Sequence, residues 1–178
     1  MRRIRQFVCS SLLAVTAVGA APAIANAASC SGADSSPASL GSSKANRATL
    51  CLLNRERRAH GLRSLRSNSK LARAARGHAR DMVAQRYFSH DSRSGASFST
   101  RIKRTGWTRS RRSYTMGENI GWGGGSLSTP RSMVQAWMNS AGHRANILSR
   151  SFNQIGIGIA NGAPTGGSGA TYATDFGG

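Results

Sequence analysis

The chain has 178 residues, with 25 Lys and Arg against 6 Asp and Glu and a formal net charge of +19. That length allows one domain with a real hydrophobic core. The charge favours adhesion to anionic surfaces, but no recognised nucleic-acid module accompanies it, which argues against a specific nucleic-acid role.

The N-terminus reads as a secretory signal peptide over residues 1–27. Arg2, Arg3 and Arg5 precede a largely apolar run from Phe7 to Ile24, and Ala25-Asn26-Ala27 supplies a small-residue cleavage pattern. The run is interrupted and short for a membrane span. Twin-arginine export fits poorly with the residues after Arg2-Arg3, and the residues before Cys30 lack the large apolar residue expected of a lipidation site. The expectation is cleavage after Ala27 and release. Removing three of the 25 basic residues with the leader leaves 22 against 6 acidic, a net charge of about +16. Cys9 leaves with the leader, so Cys30 and Cys51 remain as an even pair in an oxidising compartment, which predicts a disulfide. In the chain-entropy account such a loop contributes about 3 kcal/mol.

Residues 28–43, rich in Ser, Ala and Gly, read as a linker or arm ahead of a domain over 44–178. A helix is predicted from Lys44 to His60, capped by Ser43 and ended by Gly61, with His60 meeting its last carbonyls. The clearest helix carries Leu71, Ala74, Ala75, His78, Ala79, Met82 and Val83 as one apolar stripe. His78 on that stripe reads as a packed core histidine. Phe98 and Ile102 suggest a shorter helix. Arg101, Arg104, Arg109, Arg111 and Arg112 form the densest basic group, equally consistent with a solvated surface and with a ligand site. Thr129-Pro130 is a cap and first-turn pair before Met133, Val134 and Trp137, whose ring reads as core. Gly121 to Gly125 reads as a loop, without G-x-G-x-x-G spacing or a P-loop lysine. Ile155, Ile157 and Ile159 alternate with Gly156 and Gly158, a strand with one bulky face and one nearly bare face that admits another backbone. A Gly-rich turn over 162–169 leads to a last strand around Thr171 to Phe176, so the two form an antiparallel hairpin.

Three polar islands carry groups able to bind a metal or move a proton: Tyr87-Phe88-Ser89-His90, Gly117-Glu118-Asn119-Ile120 and Gly142-His143-Arg144-Ala145-Asn146-Ile147-Leu148. The last reads as a helix end turning on Gly142. With Leu53-Asn54-Arg55-Glu56-Arg57, Gly61-Leu62 and Ile155-Gly156-Ile157-Gly158, this ordered set resembles the CAP superfamily, or SCP domain, of cysteine-rich secretory proteins, antigen 5 and pathogenesis-related proteins. The nearest likeness is to its bacterial secreted single-domain branch. The resemblance implies an α+β fold, a three-layer α/β/α sandwich around a small antiparallel sheet. It also implies a cleft shared by His90, His143 and Glu118, the last held on a tight turn.

Two neutral imidazoles suit zinc or another divalent metal, with Glu118 orienting a ring or serving as a third ligand. Asn119 and Ser140 are expected to line that cleft. Many eukaryotic members carry a second glutamate where this chain places Ser140, which weakens the catalytic case. No G-x-S-x-G elbow or H-E-x-x-H motif is present, and Glu56 reads as a helix-surface pair or the partner of a buried arginine. The reading is therefore a secreted, extracellular, monomeric binding or defence-like module for lipid, anionic wall polymer or a divalent metal. A metal-assisted, peptidase-like hydrolase using Glu118, His90 and His143, and a cationic surface-adhesive protein, are the alternatives.

Overall fold

The computed structural model describes residues 29–178, so the leader and its cleavage site lie outside the described residues. The elements are α1 (Pro37–Leu40), α2 (Ser42–Ala59), β1 (Arg66–Ser67), α3 (Ser69–Ala84), α4 (Phe98–Arg104), β2 (Met116–Gly123), a 3-10 turn (Gly125–Ser128), α5 (Pro130–Asn139), α6 (Ala141–Ile147), β3 (Gln154–Asn161) and β4 (Ala170–Gly177). The sheet order is β1-β3-β4-β2. β4 pairs antiparallel with both β2 and β3, while the two-residue β1 runs parallel to β3. Helices cover both faces, giving the expected α+β sandwich. The sheet is mixed, with one short parallel edge.

Side-chain alternation divides the two faces. Ile155, Ile157, Ile159, Tyr172 and Phe176 pack with Leu52 and Leu53 of α2 and with Met133, Val134 and Trp137 of α5. On the opposite face Ile120 and Ala173 meet Ala75, Ala79 and Met82 of α3. Gly156 and Gly158 of β3 let α3 approach until backbones touch: a Cβ at Gly156 would sit 2.0 Å from the Ala72 nitrogen, and one at Gly158 2.2 Å from the Arg76 nitrogen. The bare strand face is thus occupied by a helix backbone, as the alternation implied.

Several local expectations are corrected. α2 starts two residues before Lys44, and its N-cap is Gly41 rather than Ser43. Gly41, at φ 76, also closes α1, so one left-handed glycine joins the two helices. The stretch read as a linker or arm takes the second form, an arm pinned against α2 by the disulfide. Cys30 is buried and bonded to Cys51, the Arg131 backbone N–H donates to the Ala33 carbonyl, and the Arg131 guanidinium pairs with Asp34. Gly121 and Gly123 belong to β2 rather than a loop, because β2 pairs along its whole length with β4. At Gly121 the missing side chain makes room for Met133 and the Trp137 indole. The break before His143 falls at Ser140, whose extended backbone (φ −102, ψ 121) separates α5 from α6, and Gly142 lies inside α6.

Other expectations hold. Thr129 caps α5 by accepting from the Ser132 N–H, with Pro130 in the first turn. His60 closes α2, its Nδ1 2.8 Å from the Glu56 carbonyl. The anticipated arginine partner of Glu56 is absent among the described ion pairs. The buried arginine is instead Arg57, 2% exposed, which donates to the carbonyls of Arg63, Ile147, Ser149 and Phe152.

Trp137 is 2% exposed, packs edge-on to Tyr172 and donates its indole N–H to the Ile120 carbonyl at 3.0 Å. Trp137→Ala should therefore cost about 3–5 kcal/mol in a denaturant melt. A second pair of variants tests the helix–sheet approach. Gly158→Ala drives a methyl into the α3 backbone and should destabilise by about 3 kcal/mol or more. Gly142→Ala meets nothing within 4 Å and should stabilise α6 by up to about 1 kcal/mol. Equal melting temperatures for the two alanine variants would contradict this packing.

Candidate functional site

The three sequence islands meet at β2, the His90 loop on one face of the strand and α6 with His143 on the other. Glu118 lies in mid-strand rather than on a tight turn, its side chain directed to the α3 face and 1% exposed. His90 comes from the loop between α3 and α4, and its Nδ1 lies 2.8 Å from Glu118 Oε1. Arg101 of α4 donates to Glu118 Oε2 at 2.6 Å. Both carboxylate oxygens are thus engaged.

Arg101 also donates to the carbonyls of His90 and Ala96, each at 2.8 Å. One guanidinium therefore fixes the loop that carries His90 and the carboxylate that His90 meets. The sequence alone places Arg101 only in the basic group. The signal available is its position on the inner side of a short helix, next to Ile102.

On the other side of β2, Asn119 donates to the His143 carbonyl at 3.0 Å. Asn146 of α6 donates to the Glu118 carbonyl and to Asn119 Oδ1. These amides fasten α6 to β2, so Asn119 acts as a brace behind the cleft. In the sequence Asn146 stands out only as part of a motif. His143 stands in the first turn of α6 with its Nδ1 2.8 Å from Ser140 Oγ. Ser140, placed at the kink before α6, orients that ring. Each cleft histidine is held through Nδ1, and neither Nε2 has a hydrogen-bond partner among the described residues.

The electrostatics of the two rings differ. The hydrogen bond to Glu118 raises the His90 pKa above the ordinary imidazole value, partly opposed by burial. Burial lowers that of His143, and the nearby His90 charge lowers it further. His78 lies outside the pair. It is 1% exposed, its Nε2 donates to the Ser89 carbonyl, and burial lowers its pKa. It is the packed core histidine expected, and through Ser89 it steadies the segment leading to His90.

A further carboxyl group stands in none of the three islands. Asp175 of β4 lies opposite Glu118 in the β2–β4 register, is 1% exposed and has no hydrogen-bond partner for either oxygen among the described residues. Burial, reinforced by the Glu118 charge, pushes its carboxyl well above the usual carboxylate range. Burial and the neighbouring Glu118 charge both favour the protonated form of Asp175.

Beside His143 runs a groove of about 350 Å³, with Phe88, Trp122, Leu127 and Met133 among its lining and Ser140 and His143 at one end. Phe88, Trp122 and Leu127 are 47%, 41% and 65% exposed, three of the four large hydrophobic side chains that are exposed among the described residues. An apolar groove ending in a hydroxyl and an imidazole suits a small organic group better than bulk water. Among the described residues no three or more His, Cys, Asp or Glu side chains group as a metal cluster.

Known proteins resemble this chain in both sequence and fold. The model of the cysteine-rich secretory protein family, CAP, matches residues 50–174. The uncharacterized protein YkwD of Bacillus subtilis (strain 168) is 40% identical over 107 residues, covering 60% of this chain and 39% of that protein. The uncharacterized membrane protein YlbC of the same organism is 32% identical over 100 residues, 56% of this chain and 27% of its own length. Among solved structures, an extracellular protein containing a SCP domain from Bacillus anthracis str. Ames superposes with a TM-score of 0.63 at 29% identity, over 76% of this chain and 40% of that one. The chain thus spans less than half the length of each of these relatives. The family match covers most of the domain that builds the cleft, and the chain belongs to the CAP family of cysteine-rich secretory proteins.

Proposed function

We propose that this protein is a secreted, extracellular binding module whose ligand is held in the His90–His143 cleft, with a divalent metal, zinc first, between the two rings. The observation that carries this reading is the shared arrangement of the rings: Nδ1 is engaged by Glu118 or Ser140, and Nε2 is left over for a ligand. The donor set fits a two-imidazole site. It does not favour Glu118 as a third ligand, since Arg101 and His90 occupy its oxygens. A bound zinc would supply a Lewis acid with positions open to water or to a donor atom of the ligand. The adjoining groove suits the ligand's apolar portion, as a lipid or a wall component would present. No free carboxylate in the cleft is positioned to take a proton from water, which favours binding over hydrolysis. Secretion is supported by the leader pattern, by a disulfide suited to an oxidising compartment, and by the extracellular SCP-domain protein of Bacillus anthracis. No helix among the described residues is long and apolar enough to cross a membrane.

Zinc titration by calorimetry tests the cleft. Wild type should bind one equivalent with modest affinity at slightly alkaline pH, and less as protons compete for imidazole near pH 6.5. The His90→Ala, His143→Ala double variant should lose this binding. His78→Ala should keep it while melting at lower temperature. Undiminished uptake by the double variant would leave the cleft as a pocket for an organic ligand only. Salt separates both readings from charge-only adhesion, because screening removes the latter and spares a dry groove.

Metal-free protein should show the two rings titrating on opposite sides of the ordinary imidazole value, read from the His Cε1 protons by NMR. His90 should titrate above about 6.5, and His143 and His78 below it. Glu118→Gln should bring His90 down. The stability consequences run in opposite directions. The His90 contribution is full below its unfolded pKa and is lost as pH rises through the raised folded value. Those of His143 and His78 are full above their unfolded pKa and are lost as pH falls through the depressed ones. His90 is half-exposed and screened, so acidification from neutral pH should lower the melting temperature on balance.

A further inference from the structure

β2 stands at one edge of the sheet and pairs only with β4. Just before it, Thr115 and Gly178 exchange both backbone hydrogen bonds, so by antiparallel alternation the odd-numbered residues of β2 bond toward β4. The backbone groups of Glu118, Ile120 and Trp122 therefore point away from the sheet. Two carbonyls on this outer side are already taken, that of Glu118 by Asn146 and that of Ile120 by the Trp137 indole. The N–H groups of Ile120 and Trp122 and the Trp122 carbonyl have no hydrogen-bond partner among the described residues.

The apolar groove beside His143 follows this same stretch, with Ile120, Gly121 and Trp122 in its lining. Proteins commonly blunt an open strand edge with lysine, proline, a bulge or a covering element. β2 carries no Lys, Arg or Pro, and its register with β4 is unbroken. Phe88 and Leu127 stand exposed along the groove, together with Trp122 of the strand itself. The surrounding charge has one sign. No acidic side chain lines the groove, Glu118 and Asp175 are buried, and Asp34 is paired with Arg131. Arg144, next to His143 at the groove's end, is exposed. With 25 basic residues in the chain against 6 acidic, the field here favours an anionic partner and opposes pairing of this edge with a second copy.

We propose that the outer edge of β2 takes up a short extended peptide, its backbone pairing with Ile120 and Trp122, an apolar side chain entering the groove and acidic residues flanking it. In such strand addition the main-chain hydrogen bonds give affinity and the groove selects the side chain. Asn146 and the Trp137 indole occupy the carbonyls toward Glu118, which limits the paired stretch to a few residues. A lipid chain would fill the groove but leave the two N–H groups without acceptors, so the edge favours a peptide. This inference rests on the reading of the groove as a ligand site and names the ligand's class; it does not rest on the metal.

Amide hydrogen exchange read by NMR, on metal-free protein with EDTA present, tests the assignment. The probes are an acetylated, amidated hexapeptide of alternating Glu and Leu, the same peptide with Gln for Glu, and sodium laurate. At saturation the Glu–Leu peptide should slow exchange at the Ile120 and Trp122 amides at least ~10-fold, and change Asn119 and Gly121, already bonded to β4, by less than about twofold. Trp122→Ala with Leu127→Ala, both at exposed positions, should weaken peptide binding at least ~10-fold with little change in melting temperature. The Gln peptide should bind less tightly at an ionic strength of about 0.15 M, by a margin that shrinks as salt is raised. Absence of saturable binding, or binding that leaves the Ile120 and Trp122 amides unprotected, would overturn the strand addition. Tighter binding of laurate than of the peptide would assign the groove to lipid instead. Protection of the two amides in a peptide-free dimer, seen by sedimentation, would assign the edge to a second copy. Equal binding of the Gln peptide would overturn the preference for acid. Since zinc is absent throughout, failure of the peptide leaves the metal reading standing, and failure of zinc uptake leaves the peptide site standing.

Discussion

A buried guanidinium without a carboxylate partner holds the two halves of this domain together. Arg57, at the end of α2, reaches four backbone carbonyls: one in the turn after its own helix, one at the end of α6, one just beyond it and one at the entry to β3. Those at Ile147 and Ser149 belong to the C-terminal end of α6, where helix carbonyls lack partners and a cation is favourable. Neighbouring Asn54 reinforces the arrangement by exchanging two hydrogen bonds with the Leu65 backbone. α6 carries His143 and Asn146, so the cleft inherits its geometry from a charge at the far end of the same short helix. An apolar residue at position 57 would leave these buried acceptors without their donor.

The cleft itself is built on rigid supports. Glu118 and Asn119 lie in consecutive positions of β2 and point to opposite faces, one toward the loop of His90 and the other toward α6. One strand therefore serves both histidines. Arg101 fixes the His90 side through charge, and the two asparagines fix the His143 side through neutral hydrogen bonds. The result is one ring whose proton is favoured and one whose proton is disfavoured, a few residues of structure apart. Asp175, whose burial favours its protonated form, lies opposite Glu118 on the same face of the sheet.

Much of this is legible in the residues. The apolar stripe of α3, the Thr129-Pro130 start of α5, the alternating Ile and Gly of β3 and the pairing of Cys30 with Cys51 each follow from local chemistry, and each appears in the fold. β2 does not read as a strand because Gly117, Gly121 and Gly123 resemble loop punctuation. Their small size is instead required by Phe152, by Met133 and Trp137, and by the Leu127 backbone, which lie far off or across a turn. The role of Arg101 is hidden for a similar reason. Its partners come from two segments that meet only when α4 docks beside β2, and nothing in its neighbours along the chain marks it out among so many arginines. Glu56 draws the eye before Arg57, since a buried arginine is commonly sought beside an acid, and here backbone oxygens take that place.

The strand order also dictates when the domain can form. β4 is the last strand in the chain and is the partner of both β2 and β3, which do not touch each other. No antiparallel pair of this sheet can exist before β4 is present, and the remaining pair, β1 with β3, joins residues 66 and 154 across most of the domain. Sheet formation is therefore a late event dominated by distant contacts, the topology associated with slow folding. Without β4, the strand pairing left to this sheet is the two-residue contact of β1 with β3. A chain with this connectivity completes its sheet only when its final strand slots between β3 and β2.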